Sequence, residues 1–543
     1  MTNMSTYSLS KTYFNQSVDF IINIAKHLLW VAMLFVGLQL TAQQSIFTEK
    51  GEREAFFIDK LQIDLPKTRQ QIDHEQNGAY QFAIPFQVKK NMHLLASERK
   101  INDHYYYATC IFANDAYAVN FSIQGLNRAE VAGVYVHNLK SPYDRQFFMP
   151  SQNSADVTAL PILFSDSVLV EVIAKHKVRK GEITISQVGV TYEKSWMMSS
   201  QDCEVDIACP QGDLYRNVQR AVVRLVIDNS WLCSGTLLNN TANDERPFLL
   251  TANHCIDNAR SAANTVFYFN YESPECDGLQ SDYPSPNLFT LSGSSLRATK
   301  NDEEGALDFT LLELDQHVPE HYNAYYAGWS ATATPPEYSI CIHHPVGDVK
   351  KISLDFDVAG TYSFSIPGSS YDDNSHWRIF KWDLGATEGG SSGSALFNTK
   401  MQVVGDLTGG EASCDYPYND FYSKFNVAFD KYADSSQQLR YWLDPLNLGV
   451  FQWNGYPEDS VIDNQHASVF PNPASGHFFV EGFNCDEDVN AEIFALNGAL
   501  LWSEIINCNH GIYRISIPSE LKGIYIVRVG SKKSTHSQLL KFE

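Results

Sequence analysis

Three polar residues, widely spaced in a chain of 543, stand in settings that suit acyl transfer to water. That chemistry needs a nucleophile, a base to move its proton, a carboxylate to orient the base and N–H donors for the oxyanion. His254 closes the run FLLTANHC, residues 248–255, where an apolar strand meets a turn of small residues. Cys233 lies 22 residues before Cys255. A bridge between them would tether the histidine loop to the strand before it. Asp308 opens the apolar run FTLLEL. A carboxylate there is costly unless paired. Its expected role is to take the Nδ1 proton of His254 and hold the tautomer. Asp302 and Asp315, in more polar surroundings, are the competitors.

The nucleophile candidate is Ser392, in EGGSSGSA at 388–395. Small residues let backbone N–H groups come close to a ligand, so the amides of Gly390 and Ser392 are the expected oxyanion hole. A flexible Gly/Ser linker is the plain alternative. Against it, the apolar ALF follows at once, and a linker would leave His254 and Asp308 unexplained.

The elements that must position these groups read as β. Aromatic residues make up 13% of the chain, and Gly and Pro punctuate it throughout, a balance that favours strands. The length exceeds one core and implies several domains. Residues 1–43 contain LLWVAMLFVGLQL after Lys26 and His27, with Thr41-Ala42-Gln43 beyond, the pattern of a secretory signal peptide. A run of thirteen residues is too short to span a bilayer comfortably, so no stable membrane span is expected once the signal is removed. Residues 44–194 alternate apolar and polar in YQFAIPFQV, YAVNFSIQGL, AGVYVHNL and GEITISQVGVTY. Such runs are strands, and the place of the segment before the chemistry suggests a pro-segment or a separate binding module. Residues 195–459 carry the chemistry, 460–467 form a polar linker, and 468–543 form a small final β module with a tight turn at Asn497-Gly498.

Net charge is −23 (40 basic, 63 acidic). This repels phosphate backbones and anionic lipids, so nucleic acid is not an expected partner. The ten cysteines form no CxxC pair, which argues against a tetrahedral zinc site and for disulfides in an exported protein. Cys110 and Cys341 look solitary, and Cys485 and Cys508 stand near the end. His343 and His344 are neighbours on a predicted strand and point to opposite faces, so they do not chelate one ion. His317 and His321 have Pro319 between them and no HExxH. No metal and no cofactor are expected.

Residues 200–455 resemble the bacterial lysyl endopeptidases, within the chymotrypsin-like serine proteases. The resemblance lies in CSGTLLNNTAND from Cys233, LTANHC, DFTLLEL from Asp308, TEGGSSGS from Thr387, IHHP, YAGW and YWLDP. It implies a mainly β fold with a double β-barrel protease domain and the three residues in the cleft between barrels. It also implies the bridges Cys203–Cys414, Cys209–Cys276 and Cys233–Cys255. Members cut after lysine, and a lysine pocket needs a buried acid to meet the ammonium. Ala386 stands six residues before Ser392, where trypsin-like enzymes place that acid. By similarity the role falls to Asp420, with Thr387 and Glu388 nearby. Thr408, Gly409 and Gly410 would pair with a peptide as an added strand. Thr408 stands where the family carries a His, and Ser391 where zymogens of the trypsin type carry an Asp. Lys194 is a candidate self-cleavage site.

The end of the chain resembles a second family. VFPNPASG from Val469, IFALNG from Ile493 and GIYIVR from Gly523 are similar to the C-terminal sorting domain of the type IX secretion system. This implies export machinery as a partner and a place outside a bacterium with an outer membrane. The expected substrates are proteins or peptides. Arg or mixed Lys/Arg specificity is one alternative, and an inactive protease-like adhesin is another.

Overall fold

The computed structural model describes residues 60–542 apart from internal stretches, among them 65–74, 95–103, 195–199, 279–288, 301–306, 366–370, 458–467 and 482–488. The expected signal region and the linker, with Cys485 and Cys508, lie outside the described residues.

The fold is mainly β throughout. In the N-terminal module two sheets share one apolar core that includes Phe121, Ile123, Val136, Val170 and Ile185. The Ile84–Asn91 strand alternates half-buried and exposed residues, as a strand with one wet face should. The Ala118–Gln124 strand is instead buried on both faces almost to its end. Its inner face meets the module's own core, while Asn120 and Ser122 turn outward onto the next domain. There they join a buried amide cluster: Asn120 donates to Asn229 at 3.1 Å, and Ser122 bonds Asn264 at 2.5 Å. The short strand Ala79–Gln81 adds itself to the edge of Trp231–Leu238, with Leu232 opposite Tyr80.

The domain that carries the three polar residues is built from two sheets that each close on themselves. In the first, the order is Thr290–Ser292, Thr265–Tyr268, Val222–Ile227, Trp231–Leu238, Phe248–Thr251, Phe309–Leu314, Ser294–Lys300. The two end strands are separated only by Gly293, at φ +83°. This one bent segment pairs with Thr265–Tyr268 before the bend and with Phe309–Leu314 after it, which closes the barrel. The bend needs a positive φ, which glycine adopts without strain.

The second barrel runs Lys351–Asp355, Ser339–His343, Ala395–Phe397, Gln402–Gly410, Tyr418–Lys424, His376–Lys381. Leu384, just past the last of these, bridges back to Leu354 in the first and closes the ring. The apolar interiors of both barrels merge into one core, from Phe248 and Leu311 through Trp329 to Ile342 and Phe397. Arg224, fully buried, stacks between Tyr268 and Tyr271 and donates to the Gly347 carbonyl at 2.7 Å, tying barrel to barrel.

Strands from Ser468 to Phe542 form the C-terminal module about a small core of Val480, Ile493, Val527 and Leu540. Gly498, at φ +81°, turns the hairpin between Val489–Phe494 and Leu500–Ile506. Among the described residues no helix is long and apolar enough to cross a membrane.

Candidate active site

The strand register accounts for the meeting of His254 and Asp308. Phe248–Thr251 pairs antiparallel with Phe309–Leu314, Thr251 opposite Thr310. Continuing that ladder two residues beyond the pairing sets Asp308 against the Asn253–His254 turn. The Asp308 carboxylate takes both groups His254 offers. Oδ2 lies 2.7 Å from the ring Nδ1, and Oδ1 accepts the His254 backbone N–H at 2.9 Å. Burial alone would push this carboxyl up, but the charge and hydrogen bonds of His254 more than offset it. The carboxyl sits below its usual range. The imidazole therefore has its Nδ1 proton held, and Nε2 is left as the basic atom.

A third layer backs the pair. The Asp308 amide donates to the Ser423 hydroxyl at 3.2 Å, and Ser423 meets Thr408 at 2.9 Å. His376, buried on the neighbouring strand opposite Ser423, reaches the Thr408 hydroxyl at 3.3 Å. Phe364 and Tyr371 pack on its ring. Burial pushes His376 down to about 4, so it is neutral at neutral pH. Nothing local in the sequence marks His376. Only the pairing of two distant strands brings it to the Asp308 network.

Ser392 sits in a turn whose backbone is pinned from outside. Ser234 donates its amide to the Ser392 carbonyl at 2.9 Å and its hydroxyl to the Gly390 carbonyl at 3.0 Å. Val346 donates to Gly389, and Gly393 to Leu407. Gly390 and Gly393 have φ of +92° and +78°. At Gly393 a Cβ would come within 2.2 Å of the Thr251 hydroxyl and 2.6 Å of the Ser234 carbonyl. No larger residue fits there, and the close approach seats the turn directly on the end of the strand that leads to His254. Cys233, next to Ser234, is bridged to Cys255, next to His254. The histidine and the serine turn thus hang from the same two residues.

That bridge closes a loop of 22 residues. Replacing Cys233 and Cys255 together by Ala is expected to lower unfolding stability by about 3 kcal/mol. A denaturant melt of the double variant, read at equal disulfide content elsewhere, measures it. The bridges Cys203–Cys414 and Cys209–Cys276 are also formed. Cys110 and Cys341 are buried free thiols.

Asp420 is buried in the second barrel. Its Oδ2 accepts from Trp382 Nε1 at 2.6 Å and from the Thr387 hydroxyl at 2.7 Å. Oδ1 makes no hydrogen bond of ordinary geometry, although the Ala412 amide is close enough to pull the carboxyl down somewhat. It faces Gly410, where a Cβ would stand 2.3 Å from it. Burial pushes Asp420 up to about 6. Asp420 is thus a buried carboxylate whose Oδ1 lies beside the bare Cα of Gly410. Trp382 completes this group, and the sequence alone gave no sign of it.

Glu388 turns elsewhere. Its Oε1 accepts the Gln201 amide at 2.9 Å, and it couples to the buried Glu204. The Thr408–Gly410 stretch is paired with Phe421 and Asp420 on one edge. On the other edge the Ala395–Phe397 strand reaches only Asp406, so Thr408, Gly409 and Gly410 extend past it. His343 and His344 take different partners, Ser391 and the Asp348 carbonyl.

Residues 197–423 match the family model of the lysyl endopeptidase C-terminal domain, and residues 468–541 that of the secretion system C-terminal sorting domain. A lysyl endopeptidase of Pseudomonas aeruginosa is 28% identical over 296 residues, covering 50% of this chain and 61% of that protein. Secreted RxLR effector protein 73 of Plasmopara viticola is 28% identical over 210 residues, 37% of this chain and 47% of that one. The chain thus spans less than two thirds of the length of either curated relative. Among solved structures, a Glu endopeptidase is 16% identical, covering 41% of this chain and 92% of that one, with a TM-score of 0.26. A thermostable serine protease from an extremophile is also 16% identical, with 38% and 91% covered and a TM-score of 0.27.

Proposed function

We propose that this chain is a secreted serine endopeptidase that cleaves on the carboxyl side of lysine. His254 Nε2 takes the Ser392 hydroxyl proton as the oxygen attacks the scissile carbonyl. Asp308 keeps the ring in the right tautomer and stabilises the imidazolium. The amides of Gly390 and Ser392 receive the oxyanion. His254 then hands its proton to the leaving amine, and water repeats the sequence on the ester. The substrate's backbone pairs with Thr408, Gly409 and Gly410, while its lysine ammonium meets Oδ1 of Asp420, with Thr387 at the pocket wall. Glu388 faces the 200–204 segment and takes no part in the pocket.

The observation that carries this reading is the hold of Asp308 on both N–H groups of His254, beside a serine turn roped to the same disulfide. The lysine preference is supported by the open, buried oxygen of Asp420. Digestion of a peptide library, read by mass spectrometry, tests both. Cuts after lysine alone are expected. Cuts after arginine at equal rate would replace the specificity, and no cuts would remove the activity.

Asp420 gives this pocket a pH dependence with a definite sign. Below about 6 the empty pocket holds a protonated acid, which has no charge to offer an ammonium. Affinity for a lysyl ligand therefore falls as pH drops through that value, about tenfold per unit well below it. Titration calorimetry of a lysyl peptide on the Ser392→Ala protein measures this without turnover. The dependence should vanish in Asp420→Asn.

In the same reading residues 1–43 direct export across the inner membrane and 468–543 direct it across an outer one. Residues 44–194 form a pro-segment separated by cleavage near Lys194, which is exposed. The product acts outside the cell or on its surface.

A further inference from the structure

A second histidine stands behind the serine turn. His343 is fully buried at the end of the Ser339–His343 strand. Its Nδ1 lies 2.7 Å from the Ser391 hydroxyl, and its Nε2 lies 3.1 Å from the Ser353 hydroxyl. The hydrogens of this chain have definite directions. Ser353 donates to the Ala386 carbonyl at 2.6 Å, so its oxygen is free to accept from Nε2–H. Nδ1 is then the acceptor and takes the Ser391 hydroxyl proton. The Ser391 oxygen in turn accepts the Glu388 amide at 3.1 Å.

Burial, helped by Lys351, pushes His343 down to about 3. The ring is therefore neutral in working conditions and holds one tautomer. The Glu204 carboxyl, 3.6 Å from Nε2, is itself pushed well up by burial and by Glu388.

We infer that His343 is a positioning residue that sets the backbone of the Glu388–Ser392 turn, and with it the amides where the oxyanion forms. The inference rests on the acyl-transfer reading above. Its physical reason is that hydrogen bonds, not the sterics of its own residues, hold the turn. Gly390 adopts either sign of φ at similar cost, so the peptides around it are not fixed by their own sterics. Ser234 and Val346 tie the carbonyls of Gly389, Gly390 and Ser392 from one side, and the Ser391 hydroxyl, bonded to His343 and to the Glu388 amide, adds the tie from the other. Through Ser353 the same ring also holds Ala386, so both legs of the turn hang on one imidazole. Ser391 carries no charge that could bind a freshly cut N-terminus.

The test uses the full chain bearing His343→Ala, His343→Gln or Ser391→Ala. Active sites are counted by the final extent of labelling with an aryl phosphonate. Turnover of a lysyl anilide should fall roughly 10²-fold in His343→Ala, the scale of losing one oxyanion donor, with KM within about threefold. His343→Gln, which keeps a donor and an acceptor, should recover at least about tenfold. Ser391→Ala keeps the imidazole in place and should repeat the loss in kcat, measured per labelled active site, beyond anything its lowered melting temperature accounts for. Turnover within about threefold of the parent in Ser391→Ala, and in any folded His343→Ala, overturns the inference. So does a loss shared equally by kcat and KM that follows the melting temperature. A parent protein that is never labelled at Ser392 removes the acyl-transfer reading and this inference with it; a labelled parent with unaffected variants removes the inference alone.

Discussion

Ser392→Ala is expected to lower peptide hydrolysis by about 10⁶-fold while leaving the fold in place. The side chain is small and the turn is held by its backbone, through the Ser234 amide on the Ser392 carbonyl and the close seat of Gly393. Removing one oxygen therefore costs almost no packing. It does remove the only atom that forms the ester in the proposed reaction. His254→Ala should cost about as much, because an unactivated hydroxyl is a poor nucleophile near neutral pH. The two losses should not add, since both residues serve one proton transfer. Ser392→Ala should also leave the unprocessed chain to accumulate in a host without related proteases. Normal processing there would refute self-cleavage near Lys194 while leaving the peptidase reading intact.

Asp420→Asn should remove most of the discrimination for lysine. The variant keeps the shape of the pocket and can still accept from Trp382 and Thr387 at the retained oxygen. Only the charge is lost. An ammonium driven into a buried site without its counter-charge costs about 3–5 kcal/mol. That corresponds to roughly 10²- to 10⁴-fold in kcat/KM for lysyl substrates. Substrates with a neutral side chain of similar length should lose little or gain. The checking measurement is kcat/KM for a lysyl and a norleucyl peptide of otherwise equal sequence. Equal losses on both would mean that Asp420 supports the barrel rather than reads the substrate.

Much of the fold was legible because strands leave a period. Ile84–Asn91 keeps the alternation that its sequence shows. Ala118–Gln124 does not, because its outer face, with Asn120 and Ser122, is covered by the first barrel. The sequence treats that segment as the wall of a separate module. The added strand Ala79–Gln81 and the amide cluster at Asn229 and Asn264 make it part of a shared interface. Pairings of this kind depend on docking, which no local pattern encodes.

The candidate site divides along the same line. His254 and Asp308 could be singled out because each is a polar residue at the mouth of an apolar strand, and burying it needs a partner. The serine turn could be singled out because glycines on both sides signal backbone that must bend or approach closely. Trp382 and His376 could not, and His343 stands out only as the neighbour of His344, with no sign of its place behind the serine turn. Each reaches its place through a strand register or a barrel closure set by distant residues, as His376 does opposite Ser423. Glu388 shows the opposite hazard. Similarity sets it near the pocket, but in a turn with left-handed glycines the side chains do not alternate, and its carboxylate takes the Gln201 amide.

The central claim is that Ser392 is a hydroxyl made nucleophilic by His254. Reaction of the purified protein with a lysyl aryl phosphonate, followed by peptide mapping, tests it most directly. The account predicts one covalent adduct, on Ser392, that forms slowly or not at all in His254→Ala. An adduct on a different residue, or none on a folded and fully processed protein, would contradict it.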